Sequence, residues 1–255
     1  MDSLTTHTDP EWRIGCSGFH YPDWKDIFYP QGLAQKKWFN YYCQHFNTLE
    51  LNTTFYRFPQ LKFMQSWHEQ SPADFKFSVK VPRLITHYKQ FRDTERMLND
   101  FYNTTRDGLG GKLGCILFQL PSRTVYREEM LDRIMEQIDP AFTNVVEFRH
   151  ESWWNGGVMK RLAAANISFC GHSYPGLPDE LVCNAGVVYY RFHGIPKLYY
   201  SQYKRAFVER VVNELRDCGG VRQAYMYFNN TATVGALRNA RYMQRLVGLE
   251  NKKPS

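Results

Sequence analysis

Short hydrophobic runs alternate along the chain with longer segments whose apolar residues recur at helical spacing. The runs predict eight β-strands: Arg13–Ser17, Thr48–Asn52, Phe75–Lys80, Gly114–Gln119, Asn144–Arg149, Ile167–His172, Val187–His193 and Ala224–Asn229. The intervening segments predict helices near residues 33–46, 60–70, 93–107, 127–138, 157–165, 202–217 and 232–246. Strands that alternate with helices in this way are typical of a parallel α/β sheet.

Eight such units can close into a single (β/α)8 TIM-type barrel, which needs about 250 residues. The chain has 255 residues. We therefore expect an α/β barrel domain over residues 12–248, a flexible N-terminal segment at 1–11 and a C-terminal tail at 249–255. The stretch after His172 reads as loop, so the sixth helix should be short or irregular.

An open doubly wound sheet is the alternative fold. That fold usually carries a Gly-rich phosphate turn after its first strand. The first strand here leads into Gly15-Cys16-Ser17-Gly18-Phe19-His20, which lacks the GxGxxG spacing. The sequence therefore favours the closed barrel.

Polar side chains accumulate toward the C-terminal ends of the predicted strands, and there they share one face. Because successive side chains alternate across a strand, Tyr189, Arg191 and His193 share a face opposite Tyr190 and Phe192. The same parity in other strands selects Glu50, Asn52, Lys80, Gln119, Glu147, Arg149 and Asn229. Burying such groups near one axis is costly unless they pair or bind a ligand. The pattern predicts a pocket at the C-terminal mouth, with an ion-pair network that plugs the barrel as the alternative.

Three of these residues are candidates for catalysis. Glu50 or Glu147 could act as a general base if burial raises its pKa, or could stay ionised against nearby arginines. His193 precedes a glycine that opens a loop, and it is a candidate proton shuttle or a hydrogen-bonded structural residue.

The remaining candidates would bind substrate. Arg149 and Arg191 offer planar forks that suit a phosphate or carboxylate, and Lys80 adds a point charge. Ser17 is interpreted as part of a tight turn that approaches the ligand, since it lacks the GxSxG context of a nucleophile. The other predicted binding residues are Asn52, Tyr56, His87, Gln119, Trp153 and Asn229. Of these, Tyr56 and Trp153, together with Trp24, could instead be loop packing.

No metal ligand set or cofactor is predicted. A divalent metal held by Glu50, Glu147, His172 and His193 is kept as an alternative, although no HxxxH or HExxH spacing supports it.

The same stretches carry a family resemblance. They include Ile14-Gly15-Cys16-Ser17-Gly18, Glu50-Leu51-Asn52-Thr53-Thr54-Phe55-Tyr56, Phe118-Gln119-Leu120-Pro121, Val146-Glu147-Phe148-Arg149, Tyr190-Arg191-Phe192-His193-Gly194 and Tyr227-Phe228-Asn229-Asn230. Their order over residues 12–246 resembles the domain of unknown function 72 family, also called YecE-like. The resemblance implies a TIM-type barrel and a site, but no reaction. The family pattern tends to place Asp after the sixth strand and after the FNN run, where this chain has His172-Ser173 and Thr231.

Charge and cysteine content add weaker expectations. The formal net charge of +7 favours anionic partners in general and gives nucleic acid only weak support. None of the six cysteines forms a CxxC pair, so we expect free buried thiols and a cytoplasmic location. No signal peptide is visible and no run reaches the length of a bilayer span, so no membrane partner is expected. Oligomeric state is not predicted.

The sequence leaves three functional hypotheses open. The first is an enzyme of hydrolase or phosphoester type, acting on a small anionic or nucleotide-like substrate at the C-terminal mouth of the barrel. The second is a metal-dependent enzyme acting on a sugar or nucleic acid at the same mouth. The third is a non-enzymatic module that binds a ligand or nucleic acid.

Overall fold

Parallel β-strands form the centre of the protein in the computed structural model, which describes residues 9–249. The strands of this part are β1 (Glu11–Ser17), β2 (Thr48–Leu51), β3 (Lys76–Lys80), β4 (Leu113–Gln119), β5 (Asn144–Glu147), β6 (Ser168–Phe169), β7 (Gly171–Ser173), β8 (Val187–Phe192) and β9 (Gln223–Phe228). Most of the predicted N-terminal segment and C-terminal tail, residues 1–8 and 250–255, lies outside the described residues.

The strand order shows how the barrel closes. The sheet runs β6-β5-β4-β3-β2-β1-β9-β8-β7, and every neighbouring pair is parallel. Only Cys170 separates β6, which pairs with β5, from β7, which pairs with β8. The predicted sixth strand is therefore split in two, and its halves join the two ends of the sheet. This confirms the TIM-type barrel.

Helices surround the strands. They are α1 (Trp38–Cys43), α2 (Thr53–Tyr56), α3 (Leu61–Gln70), α4 (Glu95–Leu109), α5 (Glu128–Gln137), α6 (Gly156–Ala164), α7 (Arg205–Asp217) and α8 (Gly235–Leu246). In α7 the buried residues Val208, Val211, Val212 and Leu215 recur at the spacing of one helical face. Each such side chain, fully buried, contributes about 1.5–3 kcal/mol.

Four connections differ from regular βα units. The sequence pattern missed α2 and a π-helical turn at Leu84–Lys89, which follow β2 and β3 at the barrel mouth. The first predicted helix is shorter than expected, because a 3-10 turn at Gln35–Lys37 precedes α1. Residues 174–186 contain no helix, so the sixth connection is irregular, as predicted.

Side-chain parity separates two apolar layers. Alternate strand residues such as Leu49, Phe77 and Phe118 pack outward against the helices in the larger core cluster. The opposite parity forms a second cluster inside the barrel. Its members are Cys115, Leu117, Val145, Cys170, Tyr189, Tyr225 and Tyr227. The predicted division into outward and inward faces is therefore confirmed.

Tyrosines fill the barrel interior and use polar partners for their hydroxyl groups. The Tyr227 hydroxyl lies 2.9 Å from Ser78 Oγ and also contacts Thr48 Oγ1. Gly114 makes room for the Tyr225 ring, since a Cβ there would lie 2.8 Å from the Tyr225 hydroxyl oxygen. The apolar bodies seal the barrel floor while their tips satisfy its buried hydroxyl groups.

One cysteine expectation is wrong. Cys183 and Cys218 form a disulfide between the irregular sixth connection and the residue after α7. Their sequence spacing could not reveal the pair, because the two segments meet only in the folded barrel. The free, buried thiols are Cys16, Cys43, Cys115 and Cys170. Because disulfides are rare in the cytosol, the cysteine argument for a reducing compartment no longer holds, and the cytoplasmic location stays a prediction.

Within residues 9–249, none of the helices has both the length and the hydropathy that a bilayer crossing requires.

Candidate functional site

A cavity of about 730 Å³ opens at the C-terminal ends of the strands. Its lining includes eight of the predicted binding residues: Asn52, Tyr56, Lys80, His87, Gln119, Arg149, Arg191 and Asn229. They come from β3, β4, β8 and the segments that follow the strands. The structure thus brings most of the predicted set to one place.

The lining also contains residues that strand parity could not select. They lie in the segments that follow the strands, and they include Tyr21, Phe55, Arg83, Tyr88, Arg123, Tyr174, Tyr199 and Thr231. For three of them position is a sequence signal, since Phe55, Arg83 and Arg123 each follow the end of a strand within four residues. Loops at this end of a barrel build its binding site.

Arg191 bridges two carboxylates at the floor of the cavity. Its Nη1 donates to Glu147 Oε2 and its Nη2 donates to Glu50 Oε1, each over 2.6 Å. The two glutamates are fully buried, and Arg191 is 1% exposed. Strands β2, β5 and β8 therefore converge on one ion-pair triad.

Glu147 has both of its oxygens occupied. Besides the Arg191 contact, its Oε1 accepts from Arg149 Nε at 2.8 Å and from His193 Nε2 at 3.1 Å. Burial alone would raise the pKa of the carboxyl. The adjacent Arg149, Arg191 and His193 lower it by more than burial raises it, so the pKa lies well below its usual range. Glu147 is therefore an ionised acceptor.

Glu50 is held in the same manner from other directions. Its Oε2 accepts from the Tyr189 hydroxyl at 2.6 Å, and its Oε1 also accepts from Asn52 Nδ2 at 3.1 Å. Burial again raises the pKa, and the charge and hydrogen bond of Arg191 more than offset that effect, so the pKa is lowered.

His193 connects the triad to the cavity wall. Ionised Glu147 can only accept, so His193 Nε2 carries the proton, and Nδ1 accepts from Asn229 Nδ2 at 2.9 Å. Burial lowers the pKa of this imidazole well below its usual value, with Glu147 acting in the opposite direction. His193 is thus a neutral ring with both nitrogens engaged.

These contacts bear on the predicted catalytic set. Glu50, Glu147 and His193 lie beneath the cavity and are absent from its lining. A carboxylate with a lowered pKa and occupied oxygens is a weak base. The geometry favours a positioning role, in which the three residues orient Arg149 and Arg191, and their acid–base role stays a prediction.

Lys80 occupies the opposite side of the mouth as the last residue of β3. Its Nζ donates to Gln119 Oε1 at 2.8 Å and lies 3.9 Å from the centroid of the Phe55 ring. Gln119 Nε2 donates to the Leu120 carbonyl at 2.6 Å, which fixes the amide orientation. Burial, together with the charge of Lys80, lowers the pKa of His87 at the adjacent wall to about 4.

Aromatic rings flank the cations at the rim. The Arg149 guanidinium carbon lies 4.9 Å from the Tyr174 ring centroid. That of Arg83 lies 5.3 Å from the Tyr56 centroid and 5.6 Å from that of Tyr88. Both of these tyrosines are largely exposed.

Two predicted binding residues are outside the cavity. Ser17 is fully buried beside Glu50 in the β1–β2 register, and Gly18 after it has φ of +93°, as the predicted tight turn requires. Trp153 is fully buried behind the barrel wall. Its ring stacks on Phe148 with centroids 4.1 Å apart, and its Nε1 donates to the Thr124 carbonyl at 2.7 Å.

The alternative metal set is not arranged as a ligand sphere. His172 Nε2 is 2.9 Å from the Phe148 carbonyl oxygen, and the Glu50 and Glu147 oxygens face arginines. Within the part of the chain that the structure describes, no group of three or more His, Cys, Asp or Glu residues is placed to hold a metal ion.

The family comparison agrees with this architecture. The model of a family described as protein of unknown function DUF72 matches residues 13–255. The chain belongs to this family. Its predicted family membership is confirmed.

Curated relatives support the assignment. The UPF0759 protein YecE of Escherichia coli K12 is 32% identical over 145 residues, which cover 56% of this chain and 50% of YecE. This alignment thus spans half the length of that relative. The UPF0759 protein YunF of Bacillus subtilis 168 is 25% identical over 276 residues, covering 93% of this chain and 95% of YunF.

Solved structures support the fold. A DUF72 family protein from Thermotoga maritima MSB8 superimposes with a TM-score of 0.83 at 25% identity, covering 93% of this chain and 99% of that chain. A DUF72 family protein from Enterococcus faecalis V583 gives a TM-score of 0.81 at 18% identity, covering 96% and 98%. These descriptions assign no activity, so chemistry has to be argued from the site.

Proposed function

We propose that the barrel mouth binds a small ligand with a phosphate or carboxylate group, and that it is the active site of an enzyme acting on that ligand. One observation carries the proposal. The cavity lining contains five basic residues and, among the described residues, no Asp or Glu. The basic residues are Lys80, Arg83, Arg123, Arg149 and Arg191, of which the four arginines keep their charge at neutral pH.

Such a cluster is electrostatically unbalanced. Like charges that share a partly desolvated cavity repel each other, and a bound anion removes that repulsion. The glutamates beneath the cavity neutralise Arg191 and hold Arg149, but their oxygens do not face the open volume. The remaining positive potential is available to a ligand.

Arg149 is the best-placed anion ligand. Glu147 holds its Nε, whereas within the described residues neither Nη atom has a hydrogen-bond partner. The residue keeps a 13% exposed side chain at the mouth. A guanidinium fixed at Nε and open at both Nη atoms presents the planar fork that binds phosphate or carboxylate through two hydrogen bonds.

Cavity size and rim chemistry define the ligand class. A volume of about 730 Å³ lies within the range of small-molecule sites, about 300–1,000 Å³. Tyr56 and Tyr88 could stack on a sugar or a base above the anion. We therefore propose a phosphorylated metabolite or nucleotide-like molecule as the substrate.

Phosphoester hydrolysis is the reaction that the sequence predicts, and it requires activation of water. The occupied oxygens of Glu50 and Glu147 are poorly suited to that step. A phosphoester screen with wild type and Glu147→Gln tests it. Turnover that depends on Glu147 would support hydrolysis, and unchanged turnover would remove Glu147 from the role.

Calorimetric titration with inorganic phosphate and with AMP tests anion binding. We expect wild type to bind both, and Arg149→Met to lose about tenfold or more in affinity, which corresponds to about 1.4 kcal/mol. Arg106→Ala is the matched control, because Arg106 pairs with Asp107 on the exposed surface. Equal phosphate affinity in all three proteins would refute the proposed site.

A single-stranded oligonucleotide provides a third titration, which tests the nucleic-acid alternative. Tight, salt-dependent oligonucleotide binding without AMP binding would favour that alternative over a small substrate.

A further inference from the structure

We propose that Lys80 is the nucleophile of this site, and that its side-chain amine condenses with the carbonyl carbon of an aldehyde or ketone that carries a phosphate or carboxylate group. The inference rests on the proposed function, because the cationic lining would hold the anionic group of that substrate. Beyond the anion site, the inference specifies the electrophile, a carbonyl carbon, and the reacting atom, Lys80 Nζ.

The surroundings of Lys80 are unusual for a lysine. The residue is only 7% exposed, yet it lines the cavity, and within residues 9–249 it forms no ion pair with a carboxylate. Its Nζ has one hydrogen-bond acceptor, Gln119 Oε1. An amide acceptor needs only an N–H group, so a neutral amine satisfies this contact as well as an ammonium does.

Lys112 shows what a buried structural ammonium looks like in the same protein. It is 8% exposed, which is nearly the same burial. Its Nζ donates to the His68 carbonyl at 2.6 Å, to the Ser71 carbonyl at 2.7 Å and to Ser71 Oγ at 3.1 Å. Three acceptors match three N–H donors. Lys80 has one acceptor and an open cavity beside it, so its nitrogen is available for reaction.

The charges around Lys80 favour the neutral amine. Burial lowers its pKa well below the usual lysine value, and Arg191 and Arg149 lower it further. Glu147 and Glu50 act in the opposite direction, but both are engaged by Arg191. His87 is close to Lys80 and has a lowered pKa, so it adds no persistent positive charge at neutral pH. The Phe55 ring favours the ammonium, but it is one contact against burial and two guanidinium groups.

A desolvated amine beside other cations is an established route to a reactive lysine. The nitrogen lone pair forms a bond to the carbonyl carbon, and one amine proton moves through water to the carbonyl oxygen, giving a carbinolamine. A second proton from solvent allows that oxygen to leave as water. The product is a protonated imine that keeps the last amine proton, so no oxidant or reductant is needed. Its positive charge draws electrons from the adjacent carbon, which prepares that carbon for bond cleavage or proton loss.

Reductive trapping tests the inference on the full chain. The protein is incubated at pH 7 with glyoxylate, and separately with glyceraldehyde 3-phosphate, reduced with sodium borohydride and mapped by peptide mass spectrometry. We expect one stable secondary amine, at Lys80 and not at Lys112. Excess inorganic phosphate should suppress it at least tenfold. Trapping at surface lysines with none at Lys80 would overturn the inference.

Lys80→Met and Lys80→Arg should both abolish the specific adduct, and Lys112→Met is the matched control. Circular dichroism verifies folding, and if one Lys80 variant fails to fold the other serves. Phosphate titration on the same samples separates the two proposals. Phosphate binding without an adduct refutes the nucleophile and leaves the anion site standing. Absence of both refutes the proposed function together with the inference.

Discussion

Arg191 Nη1 lies 2.6 Å from Glu147 Oε2 beneath the barrel mouth, and the side chain of neither residue is more than 1% exposed. The second branch of the same guanidinium holds Glu50, so one cation bridges two buried acids, and Arg149 supplies the second positive charge beside Glu147. The pair therefore lies at the centre of a network whose members depend on each other for charge balance.

Removing the cation should destabilise the protein strongly. Arg191→Met leaves Glu50 and Glu147 buried without their shared partner, and breaking a buried pair in this way costs about 3–5 kcal/mol. Urea denaturation at pH 7.5 measures the loss. Arg106→Ala removes an exposed pair and should change the unfolding free energy by less than about 1 kcal/mol. If the two variants were equally stable, the network would have no net structural role.

Acidification should destabilise the fold in two stages. Burial lowers the pKa of His45, His87, His172 and His193, so below pH 6.5 the unfolded chain binds protons that these rings resist in the fold. The stability that these four neutral rings contribute is therefore fully present above pH 6.5 and is lost as the pH falls below it. The lowered pKa values of Glu50 and Glu147 add a second loss below pH 4.5.

The first stage can be assigned with one variant. Each imidazole that stays unprotonated in the fold changes the unfolding free energy by up to about 1.4 kcal/mol per pH unit. Urea denaturation at pH 7.5 and 5.5 should show a smaller difference for His193→Gln than for wild type. His20→Gln, at an exposed ring, serves as the control and should leave the difference unchanged. An identical slope in all three proteins would contradict the neutral state of buried His193.

The disulfide should contribute to stability through the loop it closes. Cys183 and Cys218 are 35 positions apart, and closing a loop of that length restricts the unfolded chain by about 3–4 kcal/mol. Thermal or urea unfolding of the Cys183→Ser/Cys218→Ser variant, with and without dithiothreitol, measures the effect. Reductant should destabilise wild type and leave the double variant unchanged. Reductant sensitivity that persisted in the double variant would assign the effect to other groups.

Trp153 and Tyr56 should separate packing from binding. Trp153→Ala removes a ring stacked behind the barrel wall, and we expect a loss of about 3–5 kcal/mol in stability with unchanged AMP affinity of the folded protein. Tyr56→Ala removes a ring that is 66% exposed at the rim, so stability should change by less than about 0.5 kcal/mol while AMP affinity falls. The reverse pattern would place the stacking surface at Trp153.

Much of this arrangement follows from local sequence pattern. Alternation in β8 places Tyr189 and Arg191 inside the barrel because the period of a strand is fixed at two residues. The same rule selects Glu50, Lys80 and Glu147, because a parallel barrel gathers all strand ends at one mouth. The irregular sixth connection is also predictable, since residues 174–186 carry no helical spacing.

The features that the sequence could not predict depend on contacts between segments that are distant along the chain. Parity brings Glu147 and Arg191 to one axis but does not indicate that Arg191 would occupy both glutamates and leave Lys80 without an acid. Trp153 follows a strand end and still turns behind the wall, where Phe148 offers a flat partner. The Cys183–Cys218 bond likewise depends on how an irregular segment packs against α7.

The acid-free lining of the cavity also has a kinetic consequence. The arginines that line the opening create a field that extends into solution, so an anion would be drawn toward the mouth before it makes any contact. The glutamates that could cancel this field are buried beneath the floor, where they neutralise Arg191 and leave the entrance positive. If the mouth binds anions as proposed, charge would select ligands during diffusion, and raised ionic strength should slow association before it speeds dissociation.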